Sequence, residues 1–343
     1  MGASEAFFRN GQVIDYNGDR TKNAIVSFAN RVAGPDVSEI GSLVRFQEVR
    51  KEYSSSSFFL LVTDKTDNTT EEKEQKFLEA YEAVAKELFV KVTFFKADKS
   101  NVPKSVAFNG LPAVLCFKDG TYHQFESGEA TELEAPLRKW IQLERWTLLP
   151  QVTYGNLYDM GLCCDRVLVL AVVDYAGKLT AGDENQKFVQ LLEATAKDHR
   201  KVLHEHFQFG WLDGPEIANS VVMGSMPVPS LLVFNVSSYQ FFLPEDSAGQ
   251  MTGESLVVFL ASILKGETRP QGGKGLFQRA KRMVYEAVSG IYNMFATQPL
   301  LSCCIFGLPL GILAIICYTI CSSDFSVEHS DVYPDSEEEE EDE

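Results

Sequence analysis

An aromatic pattern that follows a proline occurs twice in this chain and limits the fold more than any other feature. Counted from each proline, aromatic residues recur at positions five, ten and thirteen. The two sets are Pro112 with Phe117, Tyr122 and Phe125, and Pro229 with Phe234, Tyr239 and Phe242. Because the prolines lie 117 positions apart, the repeated unit has the size of a domain. The pattern therefore predicts tandem domains rather than a solenoid of short repeats.

A shortened third copy of the pattern stands at the start of the chain. Phe8, Val13 and Tyr16 have the same spacing when it is measured from Ala3, which stands where the proline would be. We therefore expect residues 1–34 to be the C-terminal remnant of a further domain that has lost almost everything before its last strands.

Each full copy predicts the same order of elements. A segment with apolar residues at helical spacing lies between two apolar runs, which is typical of a parallel β-α-β unit. Two strands with a short turn follow each proline and predict a hairpin, and a second helix closes the copy. The predicted strands of the β-α-β units are residues 58–62, 92–95, 167–173 and 207–209, and the predicted helices are residues 71–88, 129–144, 184–203 and 252–264.

This order of elements resembles the thioredoxin fold. The resemblance implies an α/β class with tandem thioredoxin-like domains, each a central mixed sheet flanked by helices. In that family the proline is cis and lies beside the active site, so Pro112 and Pro229 are the structural candidates for cis-proline. An ordinary trans proline that opens a strand is the alternative for either residue alone, and the matched positions favour the cis form.

The thiol chemistry of the thioredoxin fold has no counterpart in these copies. Oxidoreductases of this fold carry Cys-x-x-Cys between the first strand and its helix, where the helix N-terminus lowers the pKa of the attacking thiol. The corresponding segments, residues 63–74 and 174–183, contain no cysteine, and Cys-x-x-Cys occurs nowhere in the chain. The sequence therefore provides no catalytic residue.

The remaining cysteines and the histidines also have simple interpretations. Cys116 lies in an apolar run, where a thiol behaves as a small buried hydrophobe. The adjacent Cys163 and Cys164 are interpreted as structural or unpaired, because a disulfide between neighbouring residues is strained. Three histidines lack the spacing of metal ligands and are interpreted as surface residues, namely His199, His204 and His206. Neither a metal nor a cofactor is predicted.

An uncharged stretch near the C-terminus predicts a single transmembrane helix. Residues 299–321 contain 23 residues without a charge, and about 20 such residues suffice to cross the hydrocarbon core of a bilayer. Before this stretch, residues 275–297 repeat apolar side chains at helical spacing, with Arg279, Lys281 and Arg282 on the other face. This predicts an amphipathic helix at the surface of the lipid bilayer, and packing on the preceding domain is the alternative.

The tail, residues 322–343, contains eleven acidic residues and neither Lys nor Arg, within a chain of formal net charge -17. Such a run of like charge is typical of a disordered segment and excludes nucleic acid as a partner. Ser336, which acidic residues follow, is a candidate phosphorylation site for an acidophilic kinase. A solvated spacer is the alternative, and it is the interpretation that we favour.

Three longer stretches, residues 8–22, 207–214 and 306–311, make the resemblance more specific. With them, the chain resembles the thioredoxin-related transmembrane proteins of the protein disulfide isomerase family. The resemblance implies an N-terminally truncated form of a protein with one catalytic and two non-catalytic thioredoxin-like domains. The implied segments are the remnant 1–34, the non-catalytic domains 35–148 and 149–267, the amphipathic helix 275–297, the transmembrane helix 299–321 and the tail 322–343.

Three functions remain open at this point. The first is a redox-inactive module in the endoplasmic reticulum membrane that binds unfolded or disulfide-containing client proteins. The second is a fragment or splice form of an active thiol-disulfide oxidoreductase. The third is a tail-anchored cytosolic adaptor, favoured by the basic residues before the span and by first residues unlike a signal peptide.

The orientation of the domains separates these functions. The family resemblance implies lumenal domains and a cytosolic acidic tail. Asn68 and Asn235 stand in N-glycosylation sequons, which would carry glycan only if the domains are lumenal.

Overall fold

The computed structural model describes residues 5–9, 11–16, 21–64, 71–128, 132–174 and 183–322. The chain forms two compact units, which comprise residues 1–279 and residues 280–343. The first unit contains three sheets, and the second contains the helices of the C-terminal region.

The first unit begins with an antiparallel hairpin and one helix. The strands are β1 (Glu5–Arg9) and β2 (Gln12–Tyr16), and the helix is α1 (Lys22–Ala33). Phe28 of α1 lies edge-on against the rings of Phe7 and Tyr16, at centroid distances of 5.0 Å and 4.8 Å. These aromatic contacts hold the helix on the hairpin.

The second sheet has five strands in the order β3-β5-β4-β6-β7. Strands β3, β5 and β4 are parallel, whereas β6 is antiparallel to β4 and forms a hairpin with β7. The elements are β3 (Ser38–Ile40), α2 (Leu43–Glu52), β4 (Phe58–Thr63), α3 (Glu71–Leu88), β5 (Thr93–Asp98), β6 (Ala113–Lys118), β7 (Thr121–Gln124) and α4 (Glu134–Glu144).

The alternation of side chains along β4 explains how this sheet is covered. Phe59 and Leu61 point to the face on which α3 and α4 pack, whereas Phe58 and Leu60 point to the face covered by α2. All four side chains are at most 2% exposed, and each contributes roughly 1.5–3 kcal/mol by its burial. A strand buried on both faces is read from sequence as a continuous apolar run.

The third sheet repeats this arrangement, with the strand order β12-β11-β10-β8-β9. Helices α6 and α9 cover one face, and α5 and α8 cover the other. The elements are α5 (Leu157–Leu162), β8 (Val167–Val173), α6 (Glu184–Asp198), α7 (Arg200–Leu203), β9 (Phe207–Asp213), α8 (Glu216–Val222), β10 (Ser230–Asn235), β11 (Gln240–Phe242), α9 (Gly253–Leu264) and β12 (Gln271–Gly272).

The predicted α/β class with two similar mixed sheets is confirmed, and several element bounds are corrected. The helix predicted over residues 184–203 is interrupted at His199, whose φ of -103° and ψ of 19° leave the helical region. Strand β9 continues to Asp213, because all seven residues of β8 pair with it in parallel. In the described part of the chain, α4 begins at Glu134 rather than near residue 129, and Pro136 fits its first turn, where no backbone N–H is needed.

The second unit is helical in its described part. Helix α10 (Leu276–Thr297) begins in the first unit, and it is followed by α11 (Pro299–Ser302), a π-helical turn (Cys303–Gly307) and α12 (Leu308–Ser322). Pro309 lacks the N–H that would bond to the carbonyl four residues earlier, which accounts for the wider turn before it. By length and hydropathy, the stretch Pro299–Cys321 is able to cross a membrane.

Candidate functional site

The two predicted prolines occupy equivalent places in the two five-stranded sheets. The peptide bonds Leu111–Pro112 and Val228–Pro229 are both cis. Pro112 directly precedes β6, and Pro229 directly precedes β10, which is the matching strand of the other sheet. We name residues 107–112 proline loop 1 and residues 226–229 proline loop 2.

Proline loop 1 is held by side chains of the edge strand β7. The Tyr122 hydroxyl accepts a hydrogen bond of 2.8 Å from the backbone N–H of Ala107. The Gln124 amide bonds the backbone of Asn109 twice, accepting from its N–H at 2.8 Å and donating to its carbonyl at 3.3 Å. The side chain of Pro112 is buried and that of Leu111 is half-buried. This loop is therefore fixed in shape, and its large apolar side chains, Phe108 and Leu111, are both half-buried.

Proline loop 2 has a similar anchor but a different surface. The Asn219 side chain accepts a hydrogen bond of 2.7 Å from the backbone N–H of Met226. Met226 itself is buried, whereas Pro227 is exposed and Val228 is 36% exposed. The loop thus presents two apolar residues to solvent on a fixed backbone.

The segments that would carry Cys-x-x-Cys are only partly within the described residues. At the start of the first segment, the Asp64 N–H donates to the Glu74 carboxylate at 2.9 Å, and in the second the Asp174 N–H donates to the Asn185 side chain at 3.2 Å. Residues 65–70 and 175–182 lie outside the described residues. No cysteine occurs in either segment of the sequence.

The predicted modification sites have different outcomes. Asn235 lies at the end of β10, where its side-chain oxygen accepts hydrogen bonds of 2.8 Å from the Ser237 hydroxyl and 3.1 Å from the Ser238 N–H. The half-buried Asn235 therefore also closes the hairpin turn. Asn68 and Ser336 lie outside the described residues.

A buried charge cluster joins the two tandem domains. The carboxylate of Glu144, which ends α4 and is 4% exposed, lies 2.8 Å from the Lys118 ammonium. From the following domain, the Arg200 guanidinium donates to it at 2.6 Å and the His204 ring at 3.0 Å. A second ion pair crosses the same junction, between Arg145 and Asp159 of α5, at 2.6 Å.

The electrostatics of the junction favour an ionised carboxylate. Burial alone would raise the pKa of Glu144, but the hydrogen bond from His204 and the charges of Lys118 and Arg200 outweigh it, so that its pKa lies well below its usual range. Burial lowers the pKa of His204 despite its hydrogen bond to Glu144. A neutral His204 fits both of its contacts, because Nε2 donates to Glu144 while Nδ1 accepts from Arg200 at 3.2 Å.

The prediction that all three of these histidines lie on the surface is thus wrong for His204. His199 and His206 are exposed, whereas the His204 side chain is 17% exposed and belongs to the junction. Cys116 is fully buried, as predicted, and burial raises the pKa of its thiol to about 12. This thiol is therefore protonated and unreactive at neutral pH.

Sequence reasoning missed the junction because its members are far apart in the chain. The available signal was the charged pair Glu144-Arg145 at the end of a closing helix, directly before the link to the next domain. A charged pair at that place indicates a polar contact between domains, but it does not identify the partners on the other side.

Comparison with known proteins agrees with this architecture. A family described as Thioredoxin-like domain matches residues 70–262. Protein disulfide-isomerase TMX3 of Xenopus laevis is 37% identical over 310 residues, and that of Homo sapiens is 34% identical over the same length. These alignments cover 90% of this chain and 64% of each relative, so the chain spans just under two thirds of their length. The resemblance predicted from the sequence is confirmed.

Two solved structures are also similar to this chain, both at low sequence identity. The bb fragment of ERp72 has a TM-score of 0.49 at 15% identity, covering 69% of this chain and 100% of that fragment. The human ERp44 zinc-bound form has a TM-score of 0.43 at 13% identity, covering 77% of this chain and 67% of that chain.

Glu144→Gln is expected to destabilise the first unit by about 3–5 kcal/mol, because it leaves the buried Lys118 ammonium without its counter-charge. Urea unfolding followed by circular dichroism measures the loss. Glu134→Gln is the matched control on the same helix, since Glu134 forms an exposed pair with Arg138 that is worth less than about 1 kcal/mol. Equal effects of the two substitutions would contradict the structural role of the junction.

Acidification is expected to weaken the fold between about pH 6.5 and about pH 4. Burial and the charge of Arg200 lower the pKa of His123 to about 4, and the pKa of His204 is also lowered. The unfolded chain therefore takes up these protons at higher pH than the folded chain, so stability present above about pH 6.5 is lost as the pH falls. Thermal melts across this range measure the loss. His123→Gln should flatten the dependence, whereas His206→Gln, at an exposed residue, should leave it unchanged.

Proposed function

Because this chain belongs to the thioredoxin-like domain family and is similar to protein disulfide-isomerase TMX3, we propose that it acts in the folding of disulfide-containing proteins. Its role is that of a redox-inactive, membrane-anchored module that binds unfolded or disulfide-containing clients. The observation that supports this role most directly is that both domains hold a proline loop in a fixed shape, while the sequence has no Cys-x-x-Cys beside either loop.

Proline loop 2 is the more suitable of the two for binding a polypeptide. Val228 and Pro227 are exposed on a backbone that Asn219 already fixes, so contact with a client costs little additional ordering. Exposed apolar side chains of this kind favour contact with unfolded chains, which expose apolar residues.

We assign the protein to the endoplasmic reticulum membrane as a single-pass protein with lumenal domains and a cytosolic acidic tail. The similarity to TMX3 and the apolar stretch Pro299–Cys321 support this assignment. The sequon at Asn235 supports the lumenal orientation, because the modification occurs only on that side.

A second candidate is that these domains are the non-catalytic part of an active thiol-disulfide oxidoreductase. Two findings favour this candidate. The relatives are named protein disulfide-isomerase, and this chain covers 64% of their length. In that case the exchange of thiols would depend on residues outside the given sequence, and the proline loops would position the client for them. Both candidates therefore assign the same binding role to the domains described here.

A photo-reactive residue placed at Val228 is expected to cross-link reduced, unfolded ribonuclease A but not its folded, oxidised form, because only the unfolded protein offers apolar segments to proline loop 2. Mass spectrometry of the purified chain in detergent identifies the product. The matched control is Val258 of α9, which is 69% exposed but lies on a helix away from the loop. Equal cross-linking from both positions would contradict a binding role for the loop.

In mammalian cells the chain is expected to carry N-glycan, so treatment with endoglycosidase H should increase its electrophoretic mobility. Ser237→Ala removes the Asn235 sequon but keeps the bond from the Ser238 N–H to Asn235, and it should reduce the shift by one glycan. Ser237→Thr preserves the sequon and should keep the full shift. Absence of any shift in both the wild-type chain and Ser237→Thr would contradict the lumenal assignment of this residue.

A further inference from the structure

Two neighbouring cysteines lie at the junction between the tandem domains. Cys163 and Cys164 follow the end of α5, and both are half-buried. Their sulfur atoms are 3.2 Å apart and form no disulfide. As a thiol, Cys163 also approaches the main-chain oxygens of Met160 at 3.6 Å and Gln142 at 3.9 Å. The sulfur of Cys163 is thus held in one place from both domains.

Two buried guanidinium groups interact with this sulfur. The positive charges of Arg145 and Arg166 both act on Cys163 and lower the pKa of its thiol. Arg166 is 1% exposed and the Arg145 side chain is 3% exposed. The Nε atom of each finds no hydrogen-bond partner among the described residues. Buried donors without a neutral partner favour an anion beside them.

The surrounding charges do not neutralise the two arginines completely. Asp159 accepts from Arg145 at 2.6 Å, but it also pairs with the Lys91 ammonium at 2.7 Å. The Arg166 guanidinium donates hydrogen bonds to the carbonyls of Leu143 at 3.2 Å and His204 at 3.4 Å. Glu144 also attracts Arg166, although its carboxylate is already shared with other cations of the junction. One thiolate would therefore reduce the local excess of positive charge.

Of the two thiols, Cys163 loses its proton more readily than Cys164. The hydrogen bond from Cys164 and then the charges of Arg145 and Arg166 lower the pKa of Cys163, although burial opposes them. The same contact and burial raise the pKa of Cys164. When Cys163 is ionised, Cys164 keeps its proton and is placed to donate it to the Cys163 sulfur, 3.2 Å away.

Cys163 is also accessible to a small molecule. It lines a cavity of about 330 Å³ together with Lys91, Arg145 and Tyr158. The cavity opens on the exposed side of the junction, where Lys91 and Tyr158 are about half exposed. The Asp159 carboxylate also lines it, but the two cations Lys91 and Arg145 outnumber this carboxylate and suit a molecule that carries carboxylates.

We propose that Cys163 is a modification site that forms a mixed disulfide with small disulfides bearing carboxylates, of the glutathione disulfide class. The thiolate of Cys163 attacks one sulfur of the small disulfide. A new bond forms between the Cys163 sulfur and the attacked sulfur, while the original S–S bond of the small disulfide breaks. The other half leaves as a thiolate, which takes a proton from water. The Cys163 sulfur is oxidised, the departing sulfur is reduced, and no other oxidant is needed.

The neighbouring thiol does not readily release the mixed disulfide formed in this way. Attack of Cys164 on Cys163 would produce a disulfide between adjacent residues, and such a bond is strained, so release depends on an external thiol. In this respect the pair differs from Cys-x-x-Cys, whose second thiol resolves the intermediate. The site is separate from the proline loops and does not depend on the proposed binding of clients.

The test incubates the purified full-length chain in detergent with glutathione disulfide or with cystamine, a cationic disulfide, and identifies the modified cysteine by peptide mass spectrometry. Cys163 is expected to react about tenfold faster than Cys164, and faster with glutathione disulfide than with cystamine. The rate at Cys163 should reach its plateau at a lower pH than in the urea-unfolded chain, whose thiols have a pKa of about 8.5. The buried Cys116 serves as an internal control and should stay unmodified.

Three variants test whether the reaction depends on Cys163 and on the charge beside it. Cys163→Ser should abolish the fast reaction, whereas Cys164→Ser keeps a hydrogen-bond donor and should retain it. Lys91→Gln, at a half-exposed residue, should reduce the preference for glutathione disulfide over cystamine without removing the reaction. Preferential reaction at Cys164, equal rates with the two disulfides, or a pH profile equal to that of the unfolded chain would each overturn the proposal.

Discussion

A single buried carboxylate, that of Glu144, determines how the tandem domains are joined. It lies at the end of α4 and receives hydrogen bonds or charge from one residue of its own domain, Lys118, and two of the next, Arg200 and His204. The Lys118 ammonium is satisfied in turn by the carbonyls of Glu144 and Trp146, at 3.0 Å and 2.8 Å. A buried ion pair adds little net stability over apolar contacts, but it tolerates only one arrangement of its partners. The junction therefore specifies geometry more than it adds free energy.

The two domains share a fold and differ in what they expose. Tyr122 and Gln124 of the edge strand β7 bond the backbone of proline loop 1, whereas the Asn219 side chain bonds the backbone of proline loop 2, where Val228 is in contact with solvent. The difference arises from a few side chains on an edge strand and a short helix, not from the sheets. The two domains thus share the core pattern and differ in the loops beside it.

Much of the fold could be predicted because its signals are local. A strand buried on both faces, such as β4, is a continuous apolar run, and the helix α3 has the bounds that its apolar stripe predicts. The prolines were found by their shared spacing from aromatic residues. The junction could not be predicted in the same way, because Glu144 and Arg200 are paired across 56 positions and no periodicity encodes that contact. The role of His204 was missed for the same reason.

The rigid junction has a consequence for any polypeptide that touches both proline loops. Because Glu144 and Asp159 each pair with a residue of the other domain, these contacts constrain the separation of the loops. The second contact of such a polypeptide is intramolecular, and its effective concentration depends on whether the intervening segment can span the gap. The distance between the loops would thus set the shortest unfolded segment that is able to contact both of them at once.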